Sequence, residues 1–153
     1  CTRAVSKSVT ARRGARRLCY CSNYQTEHQM IKKILVVDDE QALTRMIKRS
    51  LEQTGRFEVL TENQGSAAIA AAKKFQPDLI FLDVMMPDMQ GDEVAAAIDE
   101  DPALQGTPYV FLTAIVTRDE TEATDGEIGG KRFLAKPVKL QDMLDTIDRL
   151  LGT

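Results

Sequence analysis

Four strand-like runs in this 153-residue chain each end on a residue equipped for polar chemistry. Ile34-Leu35-Val36-Val37 leads into Asp38-Asp39-Glu40. Leu79–Leu82 leads into Asp83. Pro108–Thr113 closes on Thr113 itself, and Arg132–Ala135 is followed by Lys136-Pro137. Singly, each has an ordinary explanation. An acidic pair after a strand caps the next helix, a threonine at a strand end reflects β propensity, and a lysine there is a solvated charge. Three carboxylates, one hydroxyl and one ammonium at equivalent positions of neighbouring strands are harder to dismiss. Carboxylates gathered in this way repel one another, and a hard divalent cation that prefers oxygen ligands relieves the repulsion.

The elements that place these residues follow from hydrophobic periodicity. Gln41–Gln53 carries Leu43, Met46, Ile47 and Leu51 at helical spacing, with Gly55 as its stop signal. Phe57–Thr61 reads as a strand, and Ser66–Phe75 as an Ala-rich helix ended before Pro77. A short helix is expected over Asp92–Asp99 and a marginal, polar one over residues 117–127. Leu140, Met143, Leu144, Ile147, Leu150 and Leu151 form the apolar stripe of a last helix. Five successive β–α units imply an α/β fold, a doubly wound five-stranded parallel sheet with helices on both faces. Ligands of such sheets bind outside the carboxyl ends of the strands, which is where the polar residues fall.

Composition narrows the chemistry. The chain is 43% hydrophobic and 28% charged, enough for one globular core. No run approaches 18 apolar residues, so no membrane span is expected, and the reading is cytoplasmic. The only histidine, His28, and all three cysteines, Cys1, Cys19 and Cys21, precede Met30. The remainder therefore has neither a Ser-His-Asp triad nor a His- or Cys-based zinc site. Residues 1–29 carry a net charge of +5 and residues 30–153 a net charge of −8. The acidic part disfavours nonspecific binding to nucleic acid. Residues 1–29 form a basic leader with three open readings: a disordered tail, non-native sequence ahead of a start at Met30, or a transit peptide. Cys19-Tyr20-Cys21 cannot complete a tetrahedral metal site. One domain is expected over residues 30–153.

Within that domain, Ile34–Glu40, Leu79-Ile80-Phe81-Leu82-Asp83-Val84-Met85-Met86-Pro87-Asp88-Met89-Gln90-Gly91, Val110–Ala114 and Phe133-Leu134-Ala135-Lys136-Pro137 resemble the receiver domain of two-component response regulators. The resemblance spans residues 31–151 with four motifs in order. It implies a flavodoxin-like fold with strand order 2-1-3-4-5. It also implies a stand-alone, chemotaxis-regulator-like phosphoprotein of a phosphorelay rather than an enzyme, phosphorylated by a sensor histidine kinase or a histidine phosphotransfer protein. Asp83 is then the phosphoacceptor, a carboxylate able to attack phosphorus. Asp39, Asp83 and the Met85 backbone carbonyl would hold Mg²⁺ (or Mn²⁺), with Asp38 acting through bound water. Three aspartates against Mg²⁺ and Lys136 make a nominally neutral site that phosphorylation turns negative. Lys136 and Thr113 are the groups available to the new phosphoryl oxygens. The family also implies a cis Lys136–Pro137 bond.

A signal requires a two-state element. By resemblance, Thr113 moves toward the phosphoryl group and Phe133 changes rotamer. The surface made by the fourth expected helix, the fifth strand and the last helix then changes. The helix over 117–127 carries Asp119, Glu120, Glu122, Asp125 and Glu127 against Arg118, and the last helix adds Asp142, Asp145 and Asp148. Either this is a solvated face or it docks a basic downstream partner. Met85 and Ile115, two residues after Asp83 and Thr113, are apolar and cannot orient a water, so self-dephosphorylation is expected to be slow. No DNA-binding output domain is expected. The competing class is a phosphorylation-independent interaction module of the same fold. A flavodoxin lacks support because Asp38-Asp39-Glu40 stands where its phosphate-cradling loop would. A haloacid-dehalogenase-type phosphatase lacks its second aspartate, replaced here by Met85.

Overall fold

The computed structural model of the protein describes residues 30–115 and 127–152. Strands β1 (Lys32–Val37), β2 (Phe57–Glu62), β3 (Leu79–Asp83), β4 (Tyr109–Thr113), β5 (Glu127–Ile128) and β6 (Lys131–Ala135) form one sheet in the order β2-β1-β3-β4-β6-β5. The helices are α1 (Gln41–Glu52), α2 (Gly65–Phe75), α3 (Gly91–Glu100) and α4 (Leu140–Leu151). The five long strands are parallel and stand in the anticipated 2-1-3-4-5 order, with β6 as the fifth.

Alternate residues of each central strand feed opposite layers, as a pleated strand requires. Ile34, Val36, Phe57, Val59, Leu79, Phe81, Val110 and Leu112 pack with Ile47 and Leu51 of α1 and Met143 and Ile147 of α4. Leu35, Val37, Ile80, Leu82 and Phe111 pack with Ala68 and Ala72 of α2 and Val94, Ala95 and Ile98 of α3. A fully buried Leu, Ile or Phe contributes about 1.5–3 kcal/mol through lost apolar surface. β1 and β3 are apolar toward both layers because helices cover both sides. The alanines of α2 bring that helix close to the sheet where a bulkier residue would hold it away.

The sequence reading needs correction at the far edge. Residues 117–126 of the expected fourth helix lie outside the described residues, as do the leader, Asp119 and Glu122. Glu127, counted as the end of that helix, lies instead in β5, which pairs antiparallel with β6 and adds a sixth, two-residue strand. The cause is the Gly129-Gly130 pair, with φ of 60° and 79°. Two successive positive φ angles build a two-residue hairpin turn whose twist matches the flanking strands.

Candidate functional site

The order in which strands join the sheet reverses between β1 and β3. β2 lies on one side of β1 and β3 on the other, so the loops after β1 and β3 diverge and leave a crevice at their carboxyl ends. Asp38 follows β1, and Asp83 is the last residue of β3. Both are buried although both are carboxylates, while Asp39 points into solvent. One oxygen from each of Asp38, Asp39 and Asp83 lies within 4.8 Å of the others.

Lys136 enters the same crevice from the end of β6. Its backbone N–H donates to the Thr113 carbonyl at 2.7 Å, which continues the sheet past its last paired residues. The Lys136–Pro137 peptide bond is cis. Lys136 Nζ donates to Asp38 Oδ2 at 2.6 Å and stands 3.3 Å from Asp83 Oδ1. The other Asp38 oxygen accepts from the Glu40 N–H at 2.9 Å, a local turn that sets up the start of α1. Both Asp38 oxygens are thus engaged within the protein. Asp83 Oδ1 lies 3.4 Å from the Met85 N–H, which curls the chain around the carboxylate.

The electrostatics are those of an over-charged acidic cluster. Burial, and after it the Asp38 carboxylate, push the Asp83 carboxyl above its ordinary pKa of 3.8, and Lys136 offsets this only in part. Burial works against the charge on Lys136, yet Asp38 and Asp83 outweigh it and hold its pKa above 10.5. The two shifts agree if Lys136 is committed mainly to Asp38, its nearer partner. One ammonium therefore leaves three clustered carboxylates under-compensated. That donor set suits a hard divalent cation, whose ligands are carboxylate and carbonyl oxygens.

Thr113 is buried at the end of β4, and its Oγ1 accepts from the Ile115 N–H at 3.1 Å, so the hydroxyl hydrogen can be donated elsewhere. Phe133 of β6 is half-buried and its ring stacks on Phe111, with centroids 5.2 Å apart. Met85 and Ile115 are 67% and 70% exposed, so their apolar side chains stand in solvent on loops leaving the rim. Of the acidic residues on the last helix, Asp148 is paired with Arg56, so that stripe is not uniformly solvated.

Two residues not singled out from sequence support this rim. Asn63 Nδ2 donates to the Asp38 carbonyl at 2.7 Å and to Thr44 Oγ1 at 3.2 Å. Asp88 accepts from the N–H groups of Gly65 and Ser66 at 3.2 and 3.0 Å and from the Ser66 hydroxyl at 2.9 Å. Asn63 directly follows β2, which ends at Glu62, one residue beyond the expected Thr61.

Among the described residues no helix is long and apolar enough to cross a membrane. The chain matches the model of the response regulator receiver domain over residues 34–148. It is 36% identical over 121 residues to the probable transcriptional regulatory protein TcrX of Mycobacterium tuberculosis, covering 77% of this chain and 49% of that protein. It is 38% identical over 109 residues to the response regulator PleD of Caulobacter vibrioides, covering 71% of this chain and 24% of that protein. The chain thus spans about half the length of the first relative and about a quarter of the second. Among solved structures, the Vibrio cholerae chemotaxis protein CheY4 superposes with a TM-score of 0.66 at 32% identity, covering 78% of this chain and 98% of that one. With the fold, the strand-end aspartates and these similarities in agreement, the chain belongs to the receiver domain family of two-component response regulators.

Proposed function

We propose that Asp83 accepts a phosphoryl group from the phosphohistidine of a sensor histidine kinase or histidine phosphotransfer protein, in a reaction that depends on Mg²⁺ or Mn²⁺. On this reading the protein is a signalling phosphoacceptor that works in the cytoplasm beside its donor. Its output is partner binding or onward relay of the phosphoryl group. The observation that carries the reading is the convergence of Asp38, Asp39, Asp83 and Lys136 within one crevice.

An Asp83 carboxylate oxygen attacks phosphorus and forms a P–O bond. The P–N bond to the donor imidazole breaks, and its electron pair stays on the ring nitrogen. No general base is needed, because the nucleophile attacks as the carboxylate and carries no proton to remove. Such transfers ask for positioning and charge stabilisation. Lys136, already 3.3 Å from Asp83, supplies an ammonium to the phosphoryl oxygens. Thr113 supplies a hydroxyl from the next strand. Asp39, Asp83 and the Met85 carbonyl would hold the cation, which supplies positive charge to the transferring group. Asp38, with both oxygens engaged, acts on it through water and keeps Lys136 in place. Drawing Thr113 toward the phosphoryl group frees space for Phe133 to leave its stack on Phe111, which alters the β6–α4 surface.

Intact-mass measurement tests this with acetyl phosphate as donor. Wild type with Mg²⁺ is expected to gain one phosphoryl group, and Asp83→Asn none. Loss of the gain with chelator is expected as well. If wild type gains nothing, from acetyl phosphate or from a histidine phosphotransfer donor, the protein is a phosphorylation-independent interaction module instead.

A further inference from the structure

Asp38 and Asp39 ride on the loop 38–40 after β1, Asp83 closes β3, and the Met85 carbonyl rides on the loop 84–90 that follows it; strand pairing reaches neither loop in full. β1 pairs with its neighbours only to Val37, and β3 only to Asp83. Something beyond the sheet must set the spacing between Asp39 and the acceptor loop. Residues 63–66, at the start of α2, touch both. On one side Asn63 Nδ2 holds the Asp38 carbonyl and the Thr44 hydroxyl. On the other, Gly65 and Ser66 hold Asp88 of the acceptor loop through three hydrogen bonds.

Two further details show that the second grip is tight. The residue at the N-terminus of α2, Gln64, makes no side-chain cap of its own. Asp88 supplies the cap from another loop, and its negative charge suits the positive end of the helix. A Cβ at Gly65 would also lie 2.9 Å from Met89 Cβ and 3.1 Å from the Met89 carbonyl oxygen. The acceptor loop is packed on the helix backbone itself.

We infer that Asn63 and Asp88 are positioning residues that join the Asp38–Asp39 loop to the loop carrying the Met85 carbonyl through the 63–66 segment and thereby set the affinity of the crevice for its divalent cation. The inference rests on the cation-assisted reading above. Neither residue touches the cation; each acts through the loop it holds. Groups of this kind behind metal ligands typically change affinity by about 10–100-fold when removed.

Calorimetric titration with Mg²⁺ alone tests it, with thermal unfolding in chelator run on every variant. Asp88→Ala and Asn63→Ala are each expected to weaken binding by about tenfold. The double variant is expected to lose less than the product of the two, because both act through one segment. Asp88→Asn keeps one oxygen acceptor, for Ser66, and turns an amide nitrogen to the Gly65 N–H, so it is expected to recover part of the loss. Asp101→Ala removes the Lys73 pair at the far end of α2 and serves as a control for stability lost elsewhere. Wild-type affinity in Asp88→Ala and Asn63→Ala overturns the inference, as does an equal loss in Asp101→Ala. If wild type takes up no Mg²⁺, or Asp39→Asn binds as well as wild type, the cation reading itself fails and the inference falls with it.

Discussion

Asp83 and Met85 lie two residues apart and have opposite characters. The carboxylate is buried among charges, and the thioether stands in solvent. A water that attacks a phosphoryl group on Asp83 has to be oriented, and neither Met85 nor the equally exposed Ile115 has a hydrogen-bonding side chain. Met85→Asn is therefore expected to shorten the lifetime of the phosphorylated protein several-fold, followed as the decay of the phosphorylated mass after donor removal. An unchanged lifetime would mean that water is oriented by something else. The residues that gather in the crevice were legible because each sits at or just after a strand end. The supporting ones were harder to read. Asn63 was missed because β2 runs one residue further than its pattern suggested. Asp88 was missed because its partners are backbone amides of a helix 22 and 23 residues earlier in the chain. Side-chain bonds to distant backbone leave no periodic trace.

At the scale of elements, the turn from β3 into α3 is built around one glycine. A Cβ at Gly91 would lie 2.3 Å from the Asp83 carbonyl oxygen and 3.0 Å from Val84 Cα, and neither backbone atom can yield without moving Asp83. Gly91→Ala is expected to destabilise by about 1–3 kcal/mol, read from urea unfolding. Wild-type stability would show that the turn is looser than the geometry describes. Helix α2 gives a pH signature. Hydrogen bonds from the Ser66 N–H, and with it the Ser66 hydroxyl and the Gly65 N–H, lower the pKa of Asp88 below 3.8. Asp101 is lowered by its bond from Lys73. A carboxyl lowered on folding lends stability that is complete above its unfolded pKa and drains away as pH falls through its folded one. The unfolding midpoint of Asp88→Asn is thus expected to lie below that of wild type at about pH 6 and to close on it as the pH falls below 3.8. A gap that persists unchanged in acid would contradict the carboxylate cap. Strands and long helices were readable from period alone. The β5–β6 hairpin was not, because Gly129-Gly130 weakens a helix and builds a turn with equal ease.

Across the whole molecule, two apolar layers hold one sheet rigid while its rim concentrates like charge. Folding thus brings Asp83 to the Asp38-Asp39 pair, at a cost in stability that a bound cation would offset. Any ligand that binds only the folded state stabilises it, by about 2.7 kcal/mol at a concentration one hundred times its Kd. Saturating Mg²⁺ is expected to raise the Tm of wild type by several degrees and to leave Asp39→Asn nearly unmoved. Equal shifts in both would place the ion outside this crevice. The global plan was the most legible level of all, since alternating strands and helices admit few topologies and the polar strand ends mark one edge. Spacing between loops was the least legible, because it is set by contacts between segments far apart in sequence.

Three carboxylates share the crevice, and on the proposed reading the phosphoryl group goes to Asp83 alone. Borohydride reduction of the acyl phosphate, after treatment with Mg²⁺ and acetyl phosphate, converts the modified aspartate to homoserine, which peptide mass spectrometry then locates. Homoserine at position 83 alone is the expected result. Homoserine at position 38 or 39, or at none of the three in protein that has gained a phosphoryl mass, would contradict the assignment of Asp83 as the acceptor.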